Sequence, residues 1–153
     1  MNYYDKLSKS QRISDNDKYY WGYQYNLANS FIVDYLKANK SFAPGMSVCE
    51  IGCAEGGVLA AFVEQGAVSA LGTDIAVSRL ETGKQINQEI GIEFELSSHN
   101  ILSDDIDSEL IGKYDLILLR DVIEHLSKPL DALKAIYRLL KPCGRLYVTF
   151  PPY

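Results

Sequence analysis

The sequence predicts an α/β fold: a parallel sheet covered by helices on both faces. Three observations lead there. From residue 47 onward, short apolar runs alternate with segments of helical period. The run Leu116-Ile117-Leu118-Leu119 is apolar on both faces, as a central strand of a parallel sheet is. A turn of small residues over 52–57 joins the first strand to the helix after it. Strand–helix–strand units of this kind cross over right-handedly.

The chain of 153 residues suits one domain. Residues 1–18 read as a loose polar arm and 19–153 as the domain. Residues 19–40 form the first expected helix, because Tyr25, Leu27, Ala28, Phe31, Ile32, Tyr35 and Leu36 make an apolar stripe. Tyr3, Tyr4, Tyr19, Tyr20, Tyr23 and Tyr25 crowd this end with Trp21. They form either an aromatic cap over the core or a lid over a ligand. After the Pro44-Gly45 turn, residues 47–51 read as a strand and 58–65 as a helix ended by Gly66. Residues 68–73 are the second strand, 76–89 a helix interrupted by Gly83, and 91–96 the third strand. A short acidic helix is expected over 104–111, the fourth strand over 114–119, and a helix over 130–140. Leu130, Leu133, Ile136, Tyr137 and Leu140 share a face of that helix, and Pro142 and Gly144 stop it. Residues 145–150 are the fifth strand. The sequence ends on Pro151-Pro152-Tyr153 directly after it, so the sheet is expected to be truncated there.

Composition narrows the function. Hydrophobic residues at 47% and charged residues at 23% place the chain among globular proteins. A net charge of −5 argues against a nucleic-acid partner, which wants a basic face. Cys49, Cys53 and Cys143 form no CxxC pair, which disfavours zinc and suggests reduced thiols in a cytoplasmic protein. The N-terminus lacks an apolar signal segment, and no run is long enough to span a membrane. A small-molecule substrate is therefore expected, with self-pairing through an open sheet edge as a route to a homodimer.

The turn Glu50-Ile51-Gly52-Cys53-Ala54-Glu55-Gly56-Gly57 is the first chemical signal. Its amides open the next helix and point toward a ligand. Alone, Gly52-x-Ala54-x-x-Gly57 is a weak dinucleotide fingerprint. The carboxylates of Glu50 and Glu55 discriminate. A pyrophosphate about 4–6 Å away would be repelled by roughly 3–4 kcal/mol at a dielectric of about 20. A ligand with an ammonium and a sulfonium would be attracted to Glu50. Asp74, at the end of the second strand, is placed to accept both hydroxyls of a ribose, or to cap the following helix. Asn100 can meet an adenine edge or make an Asx turn. Ile75 and Ile101 can sandwich an adenine ring or belong to the core.

With those residues in view, the chain resembles the seven-stranded class I S-adenosylmethionine-dependent methyltransferases, and within them the type 11 and ubiquinone-biosynthesis-like branch. Residues 48–56 are similar to the first motif and Gly72-Thr73-Asp74-Ile75 to the second. Residues 114–126 are similar to the fourth-strand motif, and Leu140-Lys141-Pro142-Cys143-Gly144-Arg145-Leu146 to the turn before strand five. The resemblance covers residues 19–153 and implies a Rossmann-like methyltransferase sandwich. It implies that Glu50, Gly52, Cys53, Ala54 and Gly56 hold the methionine part of S-adenosyl-L-methionine, with S-adenosyl-L-homocysteine as product. Asp74 would take the ribose and Asn100 the adenine, and Arg120 and Asp121 would lie near the transferred methyl. Ala54, Asn100 and Cys143 depart from the family, which more often has glycine, aspartate and glycine there. The family's last two strands lie beyond Tyr153.

The implied reaction is in-line methyl transfer to an O, N or C acceptor, with no covalent enzyme intermediate. His125 is the best candidate for a base. Some methyltransferases resembling this chain hold a divalent metal on an acidic-x-x-Glu-His stretch, which would here be Asp121, Glu124 and His125; no metal is the preferred reading. The rival functions are an NAD(P)-dependent oxidoreductase and a non-catalytic interaction module that keeps the cofactor fold.

Overall fold

In a computed structural model of the chain, which describes residues 2–103 and 107–152, a five-stranded sheet runs in the order β3-β2-β1-β4-β5. All four strand pairings are parallel. The strands are β1 (Ser47–Ile51), β2 (Ser69–Asp74), β3 (Glu95–Ser98), β4 (Tyr114–Arg120) and β5 (Leu140–Thr149). The order reverses between β1 and β4, and the crevice beyond the strands' carboxyl ends at such a switch point is where ligands bind in open α/β sheets.

Side-chain alternation along β1 and β4 divides the core in two. Val48, Leu116 and Leu118 face one cluster with the N-terminal helices and α4 (Gly57–Glu64) and α5 (Val77–Ile90). Cys49, Ile51, Ile117 and Leu119 face a second cluster with α6 (Pro129–Leu139). The four consecutive apolar residues of β4 thus serve both layers, as the sequence predicts. Asp115 stitches the lower ends of the strands: it accepts the Ser47 amide at 2.8 Å and Lys141 Nζ at 2.7 Å. Burial alone would raise its pKa, but these donors outweigh that and hold it below the ordinary value.

Several elements differ from the sequence reading. The expected arm carries α1 (Tyr3–Ser8), capped by the Asn2 side chain, and its Leu7 and Ile13 are buried in the first cluster. The helix expected over 19–40 begins earlier, as α2 (Asp15–Leu27), because Ser14 caps it through the Asp17 amide at 3.1 Å. It passes through a π-turn, Ala28–Ile32, into α3 (Val33–Ala38). The wider turn rotates the stripe: Trp21, Tyr25, Ala28, Ile32, Val33 and Leu36 are buried, whereas Phe31 and Tyr35 face out. Gly83 does not interrupt α5, which runs unbroken to Ile90. Gly91 is that helix's left-handed cap at φ 68°, so β3 starts only at Glu95. Residues 104–106 of the expected acidic helix lie outside the described residues, and Ser108–Leu110 is a single 3-10 turn. β5 pairs earlier than expected, with an irregularity where Leu140 and Arg145 face Tyr114 and Leu116. Cys143 sits in that irregularity at φ 66°, a conformation natural to glycine. All three cysteines are free. Among the described residues, no helix is long and apolar enough to cross a membrane.

Candidate active site

β1 leads into the turn through Gly52, whose φ of 76° only glycine adopts without strain. The turn is pinned to β2, since the Gly52 and Cys53 amides both donate to the Thr73 carbonyl, at 2.7 and 3.0 Å. Ala54 follows at φ 51°, in the left-handed region although it carries a Cβ. Gly56, again left-handed, starts α4. Gly57 lets the N-terminal layer close in, because a Cβ there would lie 2.5 Å from the Trp21 carbonyl oxygen.

Asp74 closes β2 and organises this turn. Its Oδ2 accepts the Ala54 amide and its Oδ1 the Ala76 amide, each at 2.8 Å. The capping reading does not hold, because Ala76 is the N-cap of α5 and no side chain caps it; the Asp74 carboxylate makes an Asx-type contact just before α5 and also lines the cavity beyond the strands. That cavity, of about 320 Å³, is walled by Gly52, Ala54, Asp74, Ile75, Asn100, Ile101, Arg120, Asp121 and His125. Its size, and a wall that mixes apolar side chains with converging polar and charged groups, suit a small-molecule site. Nine residues singled out in the sequence are therefore brought together. Asn100 also makes the Asx turn, with Oδ1 accepting the Leu102 amide at 3.0 Å. Ile101 is buried in the second core cluster, whereas Ile75 is 74% exposed.

Glu50, Cys53 and Gly56 stand behind the wall instead of on it. Glu50 is 2% exposed; it pairs with Arg120 Nη1 at 3.6 Å, and its Oε2 has no hydrogen-bond partner. Burial pushes its pKa up to about 8, with Arg120 opposing. The Cys53 thiol is held protonated by burial and by the nearby carboxylates of Glu50 and Asp74. It packs under Gly72, where a Cβ would lie 2.7 Å from its Sγ, so its place is structural.

The sequence reading missed Arg79. This residue of α5's first turn lines the cavity and donates Nε to Glu55 Oε1 at 2.8 Å. Neither turn carboxylate is therefore bare, and the charge argument against a pyrophosphate is weaker than the sequence alone suggests. A cation one turn along the helix from Ile75 was the available signal. His99, Val122 and Leu126 also join the wall.

Asp121, Glu124 and His125 do not assemble as a metal site. No group of three or more His, Cys, Asp or Glu among the described residues could hold an ion. Asp121 is turned toward β5, where Thr149 Oγ1 donates to its Oδ1 at 3.2 Å. The His125 side chain is 77% exposed and lies 3.9 Å from Glu124.

Comparison with known proteins agrees with this architecture. A family model described as a methyltransferase domain matches residues 20–152. The chain is 30% identical over 158 aligned positions to the ubiquinone biosynthesis O-methyltransferase of Xylella fastidiosa, covering 95% of this chain and 62% of the relative. It is 27% identical over 121 positions to the Pseudomonas aeruginosa protein of that name, covering 79% of this chain and 50% of the relative. The chain thus spans between half and two thirds of the length of these curated relatives. Among solved structures, a SAM-dependent methyltransferase from Aquifex aeolicus superposes with a TM-score of 0.68 at 18% identity, over 80% of this chain and 65% of the other. An S-adenosylmethionine-dependent methyltransferase from Clostridium acetobutylicum superposes with a TM-score of 0.67 at 17% identity, over 81% and 49%. At those identities the likeness concerns the fold.

Proposed function

The chain belongs to the methyltransferase domain family, and on that premise we propose that it binds S-adenosyl-L-methionine and moves its methyl group, in line, to an O, N or C acceptor on a small molecule. One observation carries the reading: the glycine turn, Asp74, Asn100 and Arg120 wall a single cavity, and the buried Glu50 behind Arg120 keeps an oxygen with no partner. An unpartnered buried carboxylate oxygen is costly unless a cationic ligand meets it.

The donor set fits the cofactor. Glu50 and the turn suit an ammonium and a main-chain approach, Asp74 a ribose, and Ile75, Ile101 and Asn100 an adenine. When bound, the cofactor supplies a methyl group already activated by its sulfonium. The chain's own task is placement. Asp74 holds the turn and accepts from sugar hydroxyls. The apolar wall of Ile75, Ile101, Val122 and Leu126 excludes water. Arg120 and Asp121 shape the end nearest the acceptor. His125, at the mouth, takes the proton of a hydroxyl or amine acceptor at Nδ1 or Nε2. Free Cys49, Cys53 and Cys143 support a cytoplasmic setting.

Calorimetry with S-adenosylhomocysteine and with NADH tests the reading. Binding of the first and not the second is expected; the reverse would replace it with the oxidoreductase reading.

A further inference from the structure

α5 touches the glycine turn at two points, one helical turn apart. Gly83 leaves room for the turn's backbone, since a Cβ there would lie 2.6 Å from the Glu55 carbonyl oxygen. Arg79, four residues earlier, donates Nε to Glu55 Oε1 at 2.8 Å. The ion pair is only half made. A guanidinium that merely neutralises a carboxylate commonly meets it with two parallel hydrogen bonds. Here Glu55 is 5% exposed and its Oε2 has no partner. Among the described residues, the guanidinium's hydrogen bond runs through Nε alone. The side chain is 46% exposed and lines the cavity with Asp74 and Ile75. A cation in the first turn of a helix also opposes the helix dipole, so α5 itself gains nothing from it.

We propose that Arg79 is a cofactor-binding residue: its free terminal nitrogens donate to the ribose oxygens whose hydroxyl hydrogens Asp74 accepts, and Glu55 links that contact to the glycine turn. The proposal rests on the reading of this cavity as an S-adenosylmethionine site. Its logic is one of hydrogen-bond supply. Each ribose hydroxyl offers one hydrogen and two lone pairs. A carboxylate serves only the hydrogen, and both Asp74 oxygens already accept a backbone amide. The lone pairs need a donor from elsewhere on the wall, and Arg79 is a cation anchored beside Asp74 with donors to spare. Its fixed Nε contact orients the fork in advance, which lowers the entropic cost of using it.

The test is calorimetry of the wild-type chain, Arg79→Gln and Arg79→Lys with two ligands, S-adenosylhomocysteine and its 2′,3′-dideoxy counterpart. Arg79→Gln is expected to weaken the first about ten-fold and the second less than about two-fold, with Arg79→Lys recovering part of the loss. Equal weakening of both ligands would show that Arg79 acts on the turn alone and would overturn the ribose contact. Unchanged affinity for both, in variants that melt as the wild type does, would overturn the whole assignment. A wild-type chain that binds neither ligand sinks the reading of the cavity itself; tight wild-type binding with indifference at Arg79 sinks only this inference.

Discussion

Asp74 Oδ2 accepts the amide of Ala54 at 2.8 Å, so the carboxylate that closes β2 holds the left-handed residue of the glycine turn. Alanine in that region is disfavoured by about 1–2 kcal/mol. A hydrogen bond to a charged acceptor contributes about 1.5–3 kcal/mol. The second quantity is the larger, which is why the turn keeps its shape without a glycine at this position. Asp74→Ala should therefore lose twice. S-adenosylhomocysteine binding should weaken by about 1.5–3 kcal/mol, and the melting temperature should fall as two amides lose their acceptor. Asp74→Asn, which keeps one carbonyl oxygen, should recover part of the stability. Calorimetry and thermal melting read the two effects separately; unchanged affinity in a folded Asp74→Ala would count against the ribose role.

Ala54 and Cys143 are both left-handed residues with a Cβ, at φ 51° and 66°. Changing either to glycine should stabilise the chain by up to about 1 kcal/mol, the relief of strain less glycine's greater chain entropy. Urea unfolding would measure it. Cys143→Gly is the cleaner case, since the residue is exposed and away from the cavity.

Glu50 gives the chain a pH dependence of definite sign. Burial raises its pKa from the ordinary 4.5 to about 8. Between those values the folded chain holds a proton that the unfolded chain has released, so stability should fall as pH rises across that window. The melting temperature of the ligand-free chain should follow that slope, and Glu50→Gln should flatten it. A ligand bearing an ammonium wants the carboxylate form, so S-adenosylhomocysteine should bind more tightly at pH 8 than at pH 6. Calorimetry at the two values should find that difference gone in Glu50→Gln.

Gly83→Ala separates helix propensity from packing. In a free helix the change would stabilise by roughly 1 kcal/mol. Here the new methyl would meet the Glu55 carbonyl oxygen at 2.6 Å. Overpacking of that kind costs about 1–3 kcal/mol, so the variant should melt lower and bind S-adenosylhomocysteine more weakly. A higher melting temperature would show that the turn has room to yield.

His125→Ala should leave S-adenosylhomocysteine affinity unchanged, because the side chain sits at the exposed mouth. If it acts as the base, kcat with a hydroxyl or amine acceptor should drop by about 10²–10⁴. A steady kcat would return His125 to a surface role.

Much of this was legible from residue types alone. The doubly apolar run of β4 and the alternation before it point to the sheet, and eight of the residues expected at the cofactor share one cavity with the candidate base His125. What was not legible follows from two causes. Local signals cannot report a long-range partner, so the pairings Glu55–Arg79 and Glu50–Arg120 were hidden. Periodicity also assumes a constant repeat. An α repeat puts Phe31 and Tyr35 on the apolar stripe, and one π-turn leaves both outside. Gly83 and Gly91 show the ambiguity of glycine: one serves a close approach where an interruption is expected, and the other a left-handed cap where a strand is expected to begin.

That π-turn is in effect a one-residue insertion absorbed inside a helix. Removing a single residue from Ala28–Ile32 would restore a regular repeat upstream of α3. A π-turn takes about one residue more per turn than the roughly 3.6 of an α-helix, so α3 would keep nearly its present angle and Val33 and Leu36 would stay on the core side. A chain one residue shorter, with every buried residue intact, would then seat the same N-terminal layer. Deletion scanning should find the exposed positions of the segment, Ser30 and Phe31, more tolerant of loss than the regular turns of α2 and α3 on either side.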